Sequence, residues 1–462
     1  MLTVEKIGGT SMSKFNEVLK NIIIGKRTKG EYYNRIFVVS AYNNVTNWLL
    51  EHKKTGKPGI YKKFHEGEDY ISALDELKSK LITINDSFVS AGLHKAEADA
   101  FIIQRIDDAK NYLRSMADVI SSGYVNPQNI LLAVREILSS IGESHSAFNS
   151  VNIIKNAGIN ATLVDLSGFD DTKAFTIDER IHEAFKNLNV SKTLVVATGY
   201  TKGTEGIMRE FDRGYSEVTF CKIAVEVKAD EAVIHKEFHL SSADPRIVGV
   251  ENSIPVGFTN YNVADQLADV GMEAIHPKAS KPIEVAGINL RIKNTFDPDH
   301  EGTVISKGYL SPTSRIEIIS GSNKVTAVEI HDPLMVGEVG FDLGIMHIFA
   351  KHGVSYILKA TSANSITAIV NEDAVKKPLI KELQEKYYQV TVEKVAVVSA
   401  LSTNIAKPGF LARATTALFN KGINISAVSQ TLAQVNMQFV VSRDDYEDAI
   451  RALNSELCLN RK

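Results

Sequence analysis

Lys6, Gly8, Gly9, Thr10 and Ser11 stand together in the opening Leu2-Thr3-Val4-Glu5-Lys6-Ile7-Gly8-Gly9-Thr10-Ser11. An apolar stretch ends there in a cation, two glycines and two hydroxyls, and a helical pattern follows from about residue 14 to 27. At such a strand-to-helix junction glycine lets the backbone approach a ligand while unpaired N–H groups face outward, which suits an anion. Gly-Gly-Thr after a strand is more often only a turn, so a turn and a phosphate site both stay open. Further along, Ser40 and Thr46 supply hydroxyls after an apolar run, and Glu143 follows a glycine among small residues, where a solvated surface charge is the simpler reading. Arg213-Gly214-Tyr215-Ser216-Glu217 opens a helix and Asp244-Pro245-Arg246 follows a strand. No Ser-His-Asp or Cys-His arrangement is evident, and Cys221 and Cys458 lack metal-ligand spacing.

These side chains need elements to hold them. Residues 35–41 form an almost continuous apolar run, the mark of a strand buried on both faces of a parallel sheet, and its tip would share a crevice with Gly8 and Gly9. From about 62 to 148 the apolar positions take helical spacing, as in Ile71, Leu74, Leu77 and Leu81, and most of this stretch reads as scaffold. Strand patterns return at 161–166, 193–197 and 232–235, alternating with helices as in an α/β fold. Near Tyr309 a repeat begins: Gly340-Phe341 and Gly353-Val354 recur as Gly409-Phe410 and Gly422-Ile423 at a constant offset of 69 residues. Each copy reads strand, helix, strand, strand, helix, a ferredoxin-like unit. The 462 residues allow two or three domains, and 44% hydrophobic with 23% charged residues is ordinary for a globular chain. A net charge of -3 gives no reason to expect nucleic acid or an acidic membrane surface. No apolar run approaches the roughly 18 residues of a membrane span, the start lacks a basic n-region, and two cysteines fit a reducing cytoplasm.

Taken together, Lys6-Ile7-Gly8-Gly9-Thr10-Ser11, Val39-Ser40-Ala41 with Thr46, Gly142-Glu143, Thr198-Gly199-Tyr200, Arg213-Gly214 with Ser216-Glu217, Asp244-Pro245-Arg246 and Ile275-His276-Pro277-Lys278 resemble the aspartate kinases in order and spacing. Asn294-Thr295-Phe296, Gly302-Thr303 and the paired repeats extend the resemblance over nearly the whole chain. It implies an α/β architecture: an amino-acid-kinase (carbamate-kinase-like) αβα domain with a mostly parallel sheet over residues 1–310, with 62–148 as a helical insertion. A regulatory region, 311–462, would hold two ACT repeats at about 315–392 and 393–462. The implied reaction is ATP + L-aspartate giving ADP + 4-phospho-L-aspartate, with Mg²⁺, in a monofunctional, cytoplasmic homo-oligomer paired through its ACT repeats. Its wording is also similar to the ectoine-associated members, and no nucleic-acid or membrane partner is implied.

A β-carboxylate is already ionised at pH 7 and needs no general base. The task is to bring it against a triphosphate, which calls for cations, backbone donors and Mg²⁺. The resemblance implies that Lys6 neutralises the transferring phosphoryl, with Gly8, Gly9, Thr10 and Ser11 at the phosphates and Glu217 orienting Lys6 or the phosphates. It also implies that Arg213 grips the substrate α-carboxylate and Glu143 its ammonium, pairings the guanidinium fork and the carboxylate suit. Ser40 and Thr46 complete that pocket, Arg246 belongs near the nucleotide, and metal ligands stay unassigned.

The chain departs from the family in four places. Tyr215 and Glu217 stand in Arg213-Gly214-Tyr215-Ser216-Glu217 where relatives write Arg-Gly-Gly-Ser-Asp, and Ile234-His235-Lys236-Glu237 replaces Trp-Thr-Asp-Val. Glu273 replaces a lysine, and Lys236 is expected to supply the phosphate-facing cation lost there. Ile357 takes the place of an acidic residue that holds the effector's amino group in feedback-inhibited relatives, so lysine inhibition is not expected. Two other readings fit parts of the pattern: a catalytically idle amino-acid sensor, and a kinase of this fold for another acceptor such as glutamate.

Overall fold

The computed structural model describes residues 1–53, 55–211, 214–272 and 275–460. Two compact units emerge, Met1–His239 with His276–Lys307, and Leu240–Ile275 with Gly308–Lys462.

The first unit is built on strands β1 (Thr3–Ile7), β2 (Arg35–Val39), β3 (Ala161–Val164), β4 (Leu194–Thr198) and β5 (Glu231–Lys236). The second unit holds β6 (Phe258–Asn260), and the chain returns to the first for β7 (Asn289–Asn294) and β8 (Thr303–Ser306). Within the first unit the order is β3-β4-β2-β1-β5-β7-β8. Neighbours are parallel except β7 and β8. Every residue of β1, β2 and β4 is buried, which is why these strands are written as near-continuous apolar runs rather than alternating ones. β1 has β2 on one side and β5 on the other, so the chain's direction of travel across the sheet reverses at β1, where α/β sheets open a crevice at their carboxyl ends.

Register lines up the residues of interest. Ile7 pairs with Val39 and with His235, and Val39 pairs with Thr198. Gly8, Ser40, Gly199 and Lys236, each the next residue along, therefore share one edge of the sheet. The 60–156 region holds four α-helices, Ile60–Glu66, Tyr70–Phe88, Lys95–Ser121 and Pro127–Asn156. The last begins with Asn126 accepting from the Gln128 N–H and with proline in its first turn, and is buried continuously from Leu138 to Ala147. Glu143 lies in that buried segment, so the surface-charge reading does not hold.

The second unit carries β9 (Ile318–His331), β10 (Tyr356–Thr361), β11 (Ser365–Asn371), β12 (Gln389–Leu401), β13 (Ala427–Gln430) and β14 (Asn436–Ser442), in the order β10-β11-β9-β12-β14-β13. Helices Phe341–Lys351 and Lys377–Lys386 belong to the first repeat, Phe410–Phe419 and Tyr446–Leu453 to the second. The repeats join along β9 and β12, antiparallel from Leu401↔Ile318 to Gln389↔His331 with one register shift. Leu240–Ile275, inside the span expected for the catalytic domain, belongs to this unit: Ala243 and Val248 share a core with Phe439 and Leu453, and Ser242 donates to Asn454 Oδ1 at 3.0 Å.

Candidate active site

Successive side chains of a strand point to opposite faces, and β1 uses both. On one face Lys6 reaches the helix Tyr215–Glu226, where its Nζ lies 3.1 Å from Glu217 Oε1. Glu217 Oε2 accepts from the His276 backbone N–H at 2.7 Å. Burial pushes the Glu217 carboxyl up, but Lys6, Lys236 and that N–H outweigh it and hold it below its ordinary value. Glu217 is thus a fixed anion that aims the lysine, and Lys6 itself is 9% exposed.

At the glycine tip the close approach is intramolecular. A Cβ on Gly9 would stand 2.6 Å from the Ala41 carbonyl oxygen, so glycine is needed there to bring the β1 tip against the β2 tip. Thr10 is exposed, whereas Ser11 is buried and bonds Glu237 Oε1 at 3.0 Å and Thr295 Oγ1 at 3.1 Å. Lys236, at the end of β5 on the same edge, is half-buried, and its carbonyl accepts from the Thr295 N–H.

The neighbouring pocket centres on Glu143, which is 2% exposed. Tyr215 Oη donates to Glu143 Oε1 at 2.7 Å, while Oε2 has no hydrogen-bond partner among the described residues. Burial, opposed mainly by the tyrosine bond, pushes this carboxyl up to about 7. Gly199 makes room: a Cβ there would meet Ser216 Cβ at 2.8 Å and Glu143 Cγ at 3.3 Å. Ser40 Oγ bonds Ser216 Oγ at 3.3 Å, and its carbonyl accepts from Ser146 Oγ at 2.9 Å. Thr46, in the short helix Val45–Leu49, lies beside the Tyr215 phenol.

The first unit thus gathers Lys6, Gly8, Gly9, Thr10, Ser11, Ser40, Thr46, Glu143, Glu217 and Lys236 around one sheet edge. Arg213 and Glu273 lie outside the described residues. Arg246 belongs to the second unit, its side chain 89% exposed and paired with Asp244 at 2.6 Å. Sequence reasoning missed the Tyr215 hydroxyl and the His276 N–H. The tyrosine carried a signal, since a phenol buried beside an acid usually finds it as a partner, whereas a backbone donor carries none.

A mostly parallel sheet with its switch point at β1 and a lysine and glycines at the strand edge are the marks of a phosphotransferase of the amino acid kinase class. The amino acid kinase family profile matches residues 1–294, and an ACT domain profile matches 402–457. The chain is 45% identical to aspartate kinase Ask_Ect of Stutzerimonas stutzeri (strain A1501), covering 99% of this chain and 97% of that one. It is 25% identical to the aspartokinase of Saccharomyces cerevisiae, over 98% and 93%. Among solved structures, E. coli aspartokinase III in complex with aspartate and ADP superposes with a TM-score of 0.73 at 19% identity, covering 99% and 100% of the two chains. Clostridium acetobutylicum aspartate kinase superposes at 0.72 and 22%, covering 99% and 100%. The chain belongs to the aspartate kinase family.

Proposed function

We propose that the ATP-dependent phosphorylation of L-aspartate is divided between the two sides of the β1 tip. Glu143 receives the substrate ammonium, Ser40 and Thr46 border the same pocket, and Arg213 takes the α-carboxylate. Lys6, aimed by Glu217, neutralises charge on the phosphoryl as it passes to the β-carboxylate. Gly8, Gly9, Thr10, Ser11 and Lys236 face the nucleotide phosphates. The observation that carries this reading is the unpartnered Oε2 of Glu143, in the field of Lys6. A buried carboxylate oxygen without a donor is costly unless a ligand supplies one. Oε2 has almost no accessible surface, so substrate access requires the surrounding side chains to move.

Mg²⁺ suits this edge as a cation carried on the triphosphate, because such ions are held by one or two carboxylates with phosphate oxygens and water. Glu237, beside Ser11, would take one position. When bound, the ion spreads the charge of the phosphates.

No helix among the described residues is long and apolar enough to cross a membrane, and the two cysteines are buried and free. Both agree with a cytoplasmic enzyme. Exposed Leu334, Val336, Val339 and Leu343 on the first repeat support pairing with a second copy, which light scattering checks.

The test is trapping of the acyl phosphate with hydroxylamine, using ATP, Mg²⁺ and either L-aspartate or L-glutamate. Aspartate-dependent hydroxamate that is lost in Lys6→Ala supports the assignment. Hydroxamate with glutamate alone, or none from folded protein, overturns it.

A further inference from the structure

The hydrogen bond from Tyr215 to Glu143 joins two fully enclosed groups and leaves half of the carboxylate unused. We infer that Tyr215 is a positioning residue of the acceptor site: its hydroxyl fixes one oxygen of Glu143 so that the other is presented to the substrate ammonium. This rests on the reading of Glu143 given above.

Tyr215 is suited to the task by what holds it. Its ring meets Tyr200 edge-on, with centroids 5.9 Å apart and planes at 75°. The Tyr200 hydroxyl donates to Glu136 Oε2 at 2.7 Å, and Glu136 Oε1 accepts from the Met208 N–H at 2.8 Å. Thr46 lies close enough to the phenol to favour its ionised form slightly, against the larger effect of burial. A phenol has one proton to give, and here that proton goes to Glu143 Oε1. Burial, followed by the nearby Glu143 charge, holds the phenol well above its ordinary value, so it stays a donor throughout the working pH range. The direction of the bond cannot reverse while Glu143 is ionised, and the edge-on packing on Tyr200 holds the ring that makes it.

A carboxylate anchored at one oxygen loses little freedom when a cation arrives at the other. The same bond favours its ionised form, the form an ammonium requires. The groups facing Glu143 are Tyr215 on the helix Tyr215–Glu226, the Ala41 backbone N–H after β2, Lys6 on β1 and Tyr200 after β4. Of these the tyrosine bond opposes the burial most strongly. Removing the hydroxyl should therefore raise the pH at which Glu143 ionises and weaken aspartate selectively.

Tyr215→Phe keeps the ring and deletes one oxygen. Aspartate KM at pH 7 should rise about tenfold, with kcat within about twofold and KM for ATP unchanged. The acid limb of kcat/KM for aspartate should move up by about one pH unit, the shift equivalent to a tenfold change. Thr46→Val should move the same limb in the same direction by less. If Tyr215 only fills space, Tyr215→Phe leaves both KM and the limb in place. If its hydroxyl competes with the substrate, KM falls. Either result overturns the inference. Glu143→Gln separates the two levels: a wild-type aspartate KM there removes the underlying reading. An impaired Glu143→Gln beside an unaffected Tyr215→Phe removes only the role of the tyrosine.

Discussion

Two buried glutamates in the first unit behave in opposite ways. Glu5, on the far face of β1 from Lys6, has both oxygens saturated. Oε1 accepts from Thr3 Oγ1 at 2.9 Å and Arg35 Nε at 2.6 Å, and Oε2 from Arg35 Nη2 at 3.0 Å and His235 Nε2 at 2.8 Å. Arg35 also donates to the Ile22 and Ile23 carbonyls, tying the helical segment after β1 to β2. Burial raises the Glu5 carboxyl, but Arg35 and His235 together hold it well below its ordinary value. Glu143, equally enclosed, accepts from Tyr215 at Oε1 while Oε2 has no hydrogen-bond partner among the described residues, and burial wins. A carboxylate that the protein fully satisfies pins three strands together; one that it half satisfies keeps an oxygen for the ammonium proposed above.

The largest effect expected from this contrast is on stability. Arg35→Met leaves Glu5 without its main partner, and breaking a buried pair from one side costs about 3–5 kcal/mol. Urea unfolding should show that loss while the aspartate KM of the folded enzyme stays near wild type; an unchanged midpoint would remove the contrast. Glu143→Gln should do the reverse, raising aspartate KM on the order of a hundredfold, since an ammonium loses its charged partner, without lowering the unfolding free energy at pH 8.

The pH dependence of stability sharpens the same point. Glu143 has its folded value raised from 4.5 to about 7. Its share of stability is therefore present below 4.5 and is lost as pH rises through about 7, a cost of about 3 kcal/mol at alkaline pH. Glu5 is lowered from 4.5, so its share is present above 4.5 and is lost as pH falls through the folded value. Glu143→Gln should accordingly be more stable than wild type at pH 8, with the gap closing toward pH 4.5. A gap independent of pH would show that Glu143 is not the strained group. The smallest effect concerns the nucleotide: Lys236→Ala should raise KM for ATP about tenfold, the usual scale of one charged contact, with KM for aspartate nearly unmoved. Equal changes in both would remove Lys236 from the phosphate side.

Much of this was legible in the sequence. The apolar runs of β1, β2 and β4 announce strands buried on both faces, and the 69-residue offset announces two copies of one unit. Long helices between 60 and 156 follow from apolar spacing alone. The register that brings Ser40, Gly199 and Lys236 beside Gly8 does not, because pairing between distant strands leaves no local mark. The packing of Leu240–Ile275 in the second unit was equally silent, since its Ala243 and Val248 read as ordinary apolar residues. Glu143 shows the limit most plainly. It is enclosed by residues far away in sequence, Lys6, Tyr200 and Tyr215 among them, and its own neighbours suggested solvent. Glu5 passed unremarked for the same reason, its partners lying 30 and 230 residues away.

The most direct test is calorimetric titration of L-aspartate into wild type and Glu143→Gln between pH 5.5 and 8. The expected result is a wild-type affinity that rises close to tenfold per pH unit below about 7 and then levels off, with weak, pH-independent binding to the variant. Wild-type affinity that does not change with pH, or a variant that binds aspartate as tightly as wild type, would contradict the assignment of Glu143 as the residue that receives the ammonium.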